Sequence, residues 1–278
     1  MWSVAVSRLV RRSPAGGIGL AIVVAMILIA AIGPQFAPYP PDVPDYAHAR
    51  EGPSVSHLGG TDDFGRDLFS RVLYGARISM TVGFLGVVIG LIPGAVLGLT
   101  AGYYGRWFDE LVMRVIDVLL AFPGILLAIA MVAVLGPGLI NIVIAIGFFG
   151  IPVYTRLVRG ATLQAKEQVY VEAVRAQGAA SRRILFRHIL PNIVAPIIVI
   201  STLQIAAAIL TESALSFLGL GAPPPTPEWG AILTNAKDDL ATLPYMAVFP
   251  GAALVLTVLG FNLLGDGLRD LLDPRMKT

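Results

Sequence analysis

Polar and apolar positions along this chain segregate into blocks. Five stretches carry no Asp, Glu, Lys or Arg: Ser13–Pro41, Ile78–Gly105, Val118–Thr155, Ile189–Thr211 and Leu240–Gly265. About 20 helical residues, each rising ~1.5 Å, cross ~30 Å of hydrocarbon, so every stretch is long enough for a membrane helix. The third is long enough for two, and Gly136-Pro137-Gly138 breaks it where a tight turn joins them. The pattern predicts six spans. A cleaved signal peptide is the competing reading of the first stretch. Its apolar heart, Ile18–Ile32, outruns an h-region of ~7–15 residues, and Gly33-Pro34-Gln35-Phe36 offers no small-x-small cleavage site, so an uncleaved helix is expected. Three segments are too polar to span: Pro38–Arg77, Arg156 to about Pro191, and about Ser216 to Leu243. Connections this long usually carry function.

Composition agrees with a membrane protein. Of 278 residues, 56% are hydrophobic and 14% charged, against about 25% charged in an average soluble domain. With a mean hydropathy of +0.77, this excludes an ordinary cytosolic globule, a disordered tail and a collagen-like fibre. The absence of cysteine removes disulfide scaffolds, thiolate metal sites and thiol nucleophiles. A net charge of +2 is too small to suggest a nucleic-acid partner.

Where the charges sit fixes orientation. With the amino terminus in the cytoplasm, the inner side holds Arg8, Arg11, Arg12, Arg106, Arg114, Arg156, Arg159, Lys166, Arg175, Arg182, Arg183, Arg187, Arg269, Arg275 and Lys277. The outer side holds Arg50, Arg66, Arg71, Arg77 and Lys237, so 15 of the 20 cations lie inside. Both termini are therefore expected in the cytoplasm.

The inner loop reads as two short helices around a turn. Ala165–Gln177 lacks Gly and Pro, and Gly178 stands where a helix commonly ends in a left-handed residue. Ser181 is placed to cap a second helix, Arg182–Leu190, closed by Pro191 so that the next span starts at a new angle. In that helix Ile184, Leu185, His188 and Ile189 share one side, and Arg182, Arg183 and Arg187 lie largely on another. Such a helix suits a groove on another protein. A solvated basic loop that only sets topology and a helix lying on anionic lipid are the alternatives.

Glu172-Ala173-Val174, three residues, Gly178, nine residues, His188-Ile189 and then Leu190-Pro191 resembles the EAA loop of ABC importer permeases, with Val174 and His188 departing from its usual Ala and Ile. Leu58-Gly59-Gly60-Thr61-Asp62 with Gly65-Arg66-Asp67 resembles the segment before the second span of C-type permeases. So do Leu215–Gly221 with Glu228-Trp229-Gly230, and Gly265–Asp270 with Leu272-Asp273-Pro274, in their own regions. C-type permeases serve dipeptide, oligopeptide, glutathione and nickel importers.

The resemblance implies an all-α type I importer permease in a bacterial or archaeal inner membrane. An amino-terminal helix and outer loop (1–76) would precede a core permease domain (77–278) with its coupling loop at about 156–191. Its implied partners are a B-type permease, two ATPase subunits, an extracytoplasmic solute-binding protein and membrane lipid. ATPase coupling falls on Glu172, Ala173, Gly178, Ile184, Leu190 and Pro191, a rigid lever whose motion Ile140–Val158 and Asn192–Leu210 would carry to the outer gate. The solute is expected to be a short peptide, with glutathione or nickel as alternatives.

The chain itself cannot burn nucleotide. A P-loop needs Gly-Lys-Ser/Thr, and none of Lys166, Lys237 and Lys277 follows a glycine. No H-E-x-x-H or G-x-S-x-G occurs, so no catalytic role, metal or cofactor is expected. Glu212, near the outer end of the fifth span, is a candidate for the translocation pathway, though pairing within the structure is the favoured reading. Arg114 and Asp117 are spaced to pair along one helix. Asp62, Asp63 and Asp67 lack calcium-loop spacing and suit caps and loop bonds, and His48, His57 and His188 lack helical ligand spacing. Gly83, Gly86, Gly90, Gly94 and Gly98 suit close helix packing. A secondary carrier is the rival class, but the few mid-membrane charges and absence of a clear repeat speak against it. A membrane hydrolase lacks its nucleophile and base.

Overall fold

The computed structural model describes residues 13–272. Arg8, Arg11, Arg12, Asp273, Pro274, Arg275 and Lys277 lie outside the described residues. The elements are α1 (Pro14–Ile32), α2 (Leu68–Tyr104), α3 (Arg106–Leu120), α4 (Gly124–Leu135), α5 (Leu139–Lys166), α6 (Val169–Ala176), α7 (Ser181–Arg183), α8 (Leu190–Phe217), α9 (Trp229–Ala236) and α10 (Tyr245–Leu272). Among the described residues the one β pairing outside a named strand is an isolated bridge between Thr61 and Asp67.

Glycines set the centre of the molecule. A β-carbon on Gly90 of α2 would stand 2.7 Å from the Gly147 carbonyl oxygen of α5, and one on Gly98 would stand 2.6 Å from that of Thr155. With Gly94 and Gly102 also facing α5, the two helices run parallel with their backbones in contact, as small residues permit in lipid. Helix α8 covers the outer half of α2, where Gly83 faces Ile209. Helix α1 packs on α10, with Gly19 against Leu263 and Leu264 and Gly260 against Ile22.

Five helices are long and apolar enough to span, and α3 with α4 makes a bent pair that passes the same test only when taken together. The turn at Gly136–Gly138 is present, but Val118–Thr155 does not divide into two full spans. Helix α4 has 12 residues, about 18 Å of rise, well short of the hydrocarbon thickness. It is joined to α3, which meets it at an 86° elbow. Pro123 makes the elbow by disfavouring helical backbone at Phe122.

Helix α3 tolerates its aspartates because both have partners on α5. Arg159 donates from Nε to Asp109 Oδ1 at 2.5 Å and from Nη2 to Oδ2 at 2.6 Å. Arg156 donates to Asp117 at 2.6 Å. The pairing of Arg114 with Asp117 expected from spacing is thus replaced: Arg114 bonds Glu110 at 2.8 Å, one helical turn away, and Asp117 belongs to Arg156.

On the outer side the loop 37–67 folds into a cap held by buried charge. Asp62 is 3% exposed, Arg66 5% and Arg71 1%. Asp62 Oδ1 accepts the backbone N–H of Phe64 and of Arg66, and its Oδ2 accepts Arg66 Nε at 2.7 Å and lies 3.7 Å from Arg71 Nε. Arg71 also donates to the carbonyls of Pro41 (2.6 Å) and Pro225 (3.3 Å), joining both outer loops to the start of α2. Asp67 caps α2 by accepting the Ser70 N–H at 2.7 Å, and Asp63 pairs with Arg50. The acids of this loop therefore act as caps and loop ties, and among the described residues none belongs to a group of three or more metal-ligating side chains.

Candidate functional site

The inner loop forms one compact, two-sided body. Helix α6 ends in a Schellman turn: the Gly178 N–H bonds the Arg175 carbonyl at 3.0 Å and the Ala179 N–H reaches the Val174 carbonyl at 3.3 Å. Gly178 sits at φ +75°, with nothing within 4 Å of where a β-carbon would stand. It is the backbone conformation that asks for glycine here, since there is room for a side chain.

Beyond the turn Ser181 is not the cap expected from the sequence: it is already the first helical residue, and the cap position falls to Ala180, which has no side-chain acceptor to offer. It does not end at Pro191. A π-helical turn over Ile184–Ile189 runs straight into α8, and the Leu190 N–H bonds the Leu185 carbonyl five residues back. The expected break is absent because this wide turn accommodates a proline whose ring and missing N–H an ordinary α-turn would not. Asn192 Nδ2 donates to the His188 carbonyl at 2.6 Å, satisfying an acceptor beside the proline. From Ser181 onward, coupling loop and span are one continuous helix, a rod ending at Phe217.

The two faces of this rod are reversed from the sequence expectation of an apolar stripe reaching outward. Ile184, Leu185 and Ile189 are at most 3% exposed and pack with Leu99, Val158, Val171, Ile193 and Ile197 of the same chain. His188 is half-buried beside them. Burying this stripe internally removes it from any partner. The outward face instead carries Glu172, Ala173, Gly178, Arg182, Arg183, Arg187 and Pro191, with Phe186 47% exposed among the arginines. Leu190 is half-buried at the edge. Phe186 was missed in the sequence, where the signal was its position opposite Ile184, Leu185 and Ile189.

Glu212 lies apart from this surface and inside the subunit. It is 0% exposed, accepts a 3.3 Å bond from Ser213 Oγ, and keeps Oε1 without a partner. Nearby Glu228, equally buried, caps α9 by accepting the N–H groups of Gly230 (2.5 Å) and Ala231 (2.9 Å), and it accepts Ser79 Oγ at 3.4 Å. Trp229 anchors the same helix, donating Nε1–H to the Val72 carbonyl at 3.1 Å. These contacts seat α9 against α2 and α8.

An open cavity of about 240 Å³ lies elsewhere on α8, where Gln204, Ala207, Ala208 and Thr211 face the α3–α4 elbow and the Gly150–Tyr154 segment of α5.

Known proteins share this architecture. Residues 94–278 match the family described as binding-protein-dependent transport system inner membrane component, and residues 1–53 match the N-terminal TM domain of oligopeptide transport permease C. The chain is 50% identical over 272 residues to the glutathione transport system permease protein GsiD of Pectobacterium atrosepticum, covering 98% of this chain and 90% of that relative. It is 50% identical over 261 residues to the dipeptide transport system permease protein DppC of Alkalihalophilus pseudofirmus, covering 94% and 86%. A chain of the MetNI methionine ABC transporter, solved in inward-facing conformations, superposes with a TM-score of 0.59 over 73% of this chain and 96% of that one. At 18% identity this likeness concerns the fold.

Proposed function

The chain belongs to the family of binding-protein-dependent transport system inner membrane components, and on that premise we propose that it forms, with a second, B-type permease, the path by which short peptides enter the cell. It is a multi-pass inner-membrane permease subunit of an ABC importer. Two ATPase subunits supply the energy, an extracytoplasmic solute-binding protein delivers the solute, and this subunit performs no hydrolysis itself. Residues 1–76 serve as an added helix and outer cap, and 77–278 as the core.

One observation carries the reading: an exposed EAA-type turn leads through Ala179 and Ala180 into a helix that runs without a break from Ser181 through a membrane-spanning segment. Glu172, Ala173, Gly178 and Pro191 meet the ATPase, Leu190 borders the contact, and Ile184 stiffens it from within. Movement of the ATPases tilts the rod from Ser181 to Phe217, and α5, bound to it through the apolar cluster around Val158 and Ile189, moves with it. Glu212, buried within the subunit near Glu228, has a structural place and is not a solute contact.

Glutathione is the second reading, favoured by the glutathione permease among the relatives. The test is uptake by the complete complex in proteoliposomes. Dipeptide should accumulate only when ATP, the ATPases and the binding protein are all present, and glutathione in excess should leave that uptake intact. Accumulation without the ATPases would establish a secondary carrier, and glutathione uptake in place of dipeptide would establish the second reading.

A further inference from the structure

The cavity on α8 sits halfway along that helix and so at membrane depth. Its wall is apolar except for Tyr154, Gln204 and Thr211. Two of these three are already engaged: Tyr154 donates its hydroxyl to Ser201 Oγ at 3.0 Å, and Thr211 donates to the Ala207 carbonyl at 2.8 Å. Ser201 and Thr202 likewise turn their hydroxyls back onto carbonyls of their own helix. Gln204 has no such outlet. It is half-exposed, its amide has no hydrogen-bond partner among the described residues, and it projects where Ala207 and Ala208 leave space.

A primary amide facing hydrocarbon without a partner is costly. Polar side chains at this depth face protein, water or a solute. The chemistry of the wall narrows the choice. Among the described residues it has no carboxylate, ammonium, guanidinium, imidazole or thioether, so a free divalent cation finds no ligand set there. An amide offers one acceptor and two donors, the complement of a peptide group. At about 240 Å³ the cavity falls short of the ~300–1,000 Å³ usual for a small-molecule site, which leaves the opposite wall to the second permease.

Building on the importer reading, we infer that this cavity is one half of the solute passage and that Gln204 pairs with the amide group of a peptide solute crossing it. Gly150, Ala207 and Ala208 keep the passage wide beside that contact.

The natural absence of cysteine makes the test direct. In the complete reconstituted complex, Gln204→Cys should react with a charged, membrane-impermeant thiosulfonate at least about tenfold faster than Val255→Cys, an exposed position on the outer surface of α10 (63%). Dipeptide delivered by the binding protein should slow that reaction. In parallel, Gln204→Leu should lower dipeptide uptake at subsaturating solute by about 5–10-fold, the loss of roughly one hydrogen bond, while Gln204→Asn retains most of it. Equal reactivity at positions 204 and 255, or uptake by Gln204→Leu equal to that of the parent, would overturn the inference. A parent complex with no ATP-driven dipeptide uptake would instead overturn the proposed function.

Discussion

Gly178→Val is expected to cut ATP-driven uptake at least about tenfold, while Gly178→Asn retains a substantial part of it. The residue holds φ at +75° in open surroundings, so the difference between the two variants isolates backbone conformation from bulk. Left-handed backbone costs a side-chain-bearing residue roughly 1–2 kcal/mol, and a β-branched residue suffers most while Asn tolerates it. The Schellman bonds that close α6 depend on that conformation. Losing them turns Glu172 and Ala173 away from the surface formed by Arg182, Phe186 and Arg187. Parallel uptake assays on the purified complex check this, and equal uptake by the two variants would show that the turn's backbone is not what coupling needs.

Asp62→Ala is expected to destabilise the outer cap by about 3–5 kcal/mol, because it strands a buried cation. Arg66 and Arg71 both turn to this one carboxylate and both are at most 5% exposed. Two backbone N–H groups lose their acceptor at the same time. Asp63→Ala, by contrast, removes a partner of the half-exposed Arg50, and exposed pairs contribute only about 0–1 kcal/mol. Trypsin cutting at Arg50 and thermal unfolding of the purified subunit should separate the two variants clearly. Similar behaviour would mean that the buried charges do not hold the cap.

Much of this architecture was legible in the sequence because a membrane imposes one simple demand, about 20 apolar residues per crossing. The membrane-crossing parts of α1, α2, α8 and α10 follow from their uncharged runs, but α2 begins ten residues before its run, at Leu68, within the stretch expected to be outer loop. The α3–α4 elbow did not, since Asp109 and Asp117 keep α3 out of the uncharged runs until Arg156 and Arg159 on α5 are seen to neutralise them. The π-turn was equally hidden: nothing in Ile184–Ile189 encodes a five-residue hydrogen bond, and Pro191 ordinarily argues for a break. In the coupling segment, periodicity separated Ile184, Leu185 and Ile189 from the arginines correctly. It could not say which face the chain keeps for itself, because an apolar stripe fits a neighbouring span as well as a foreign groove. Glu212 shows a related limit: a lone acid in an apolar run does not reveal a buried companion at Glu228, 16 positions along the chain.

The account rests on the outward face of the inner turn gripping an ATPase. In the cysteine-free background, Phe186→Cys can carry a photoactivatable maleimide in the intact complex, whereas Ile184→Cys, 1% exposed, should stay unmodified. Irradiation should join the probe at position 186 to an ATPase subunit, with a yield that changes when ATP binds. A probe at 186 that labels only lipid or solvent, in every nucleotide state, would contradict it.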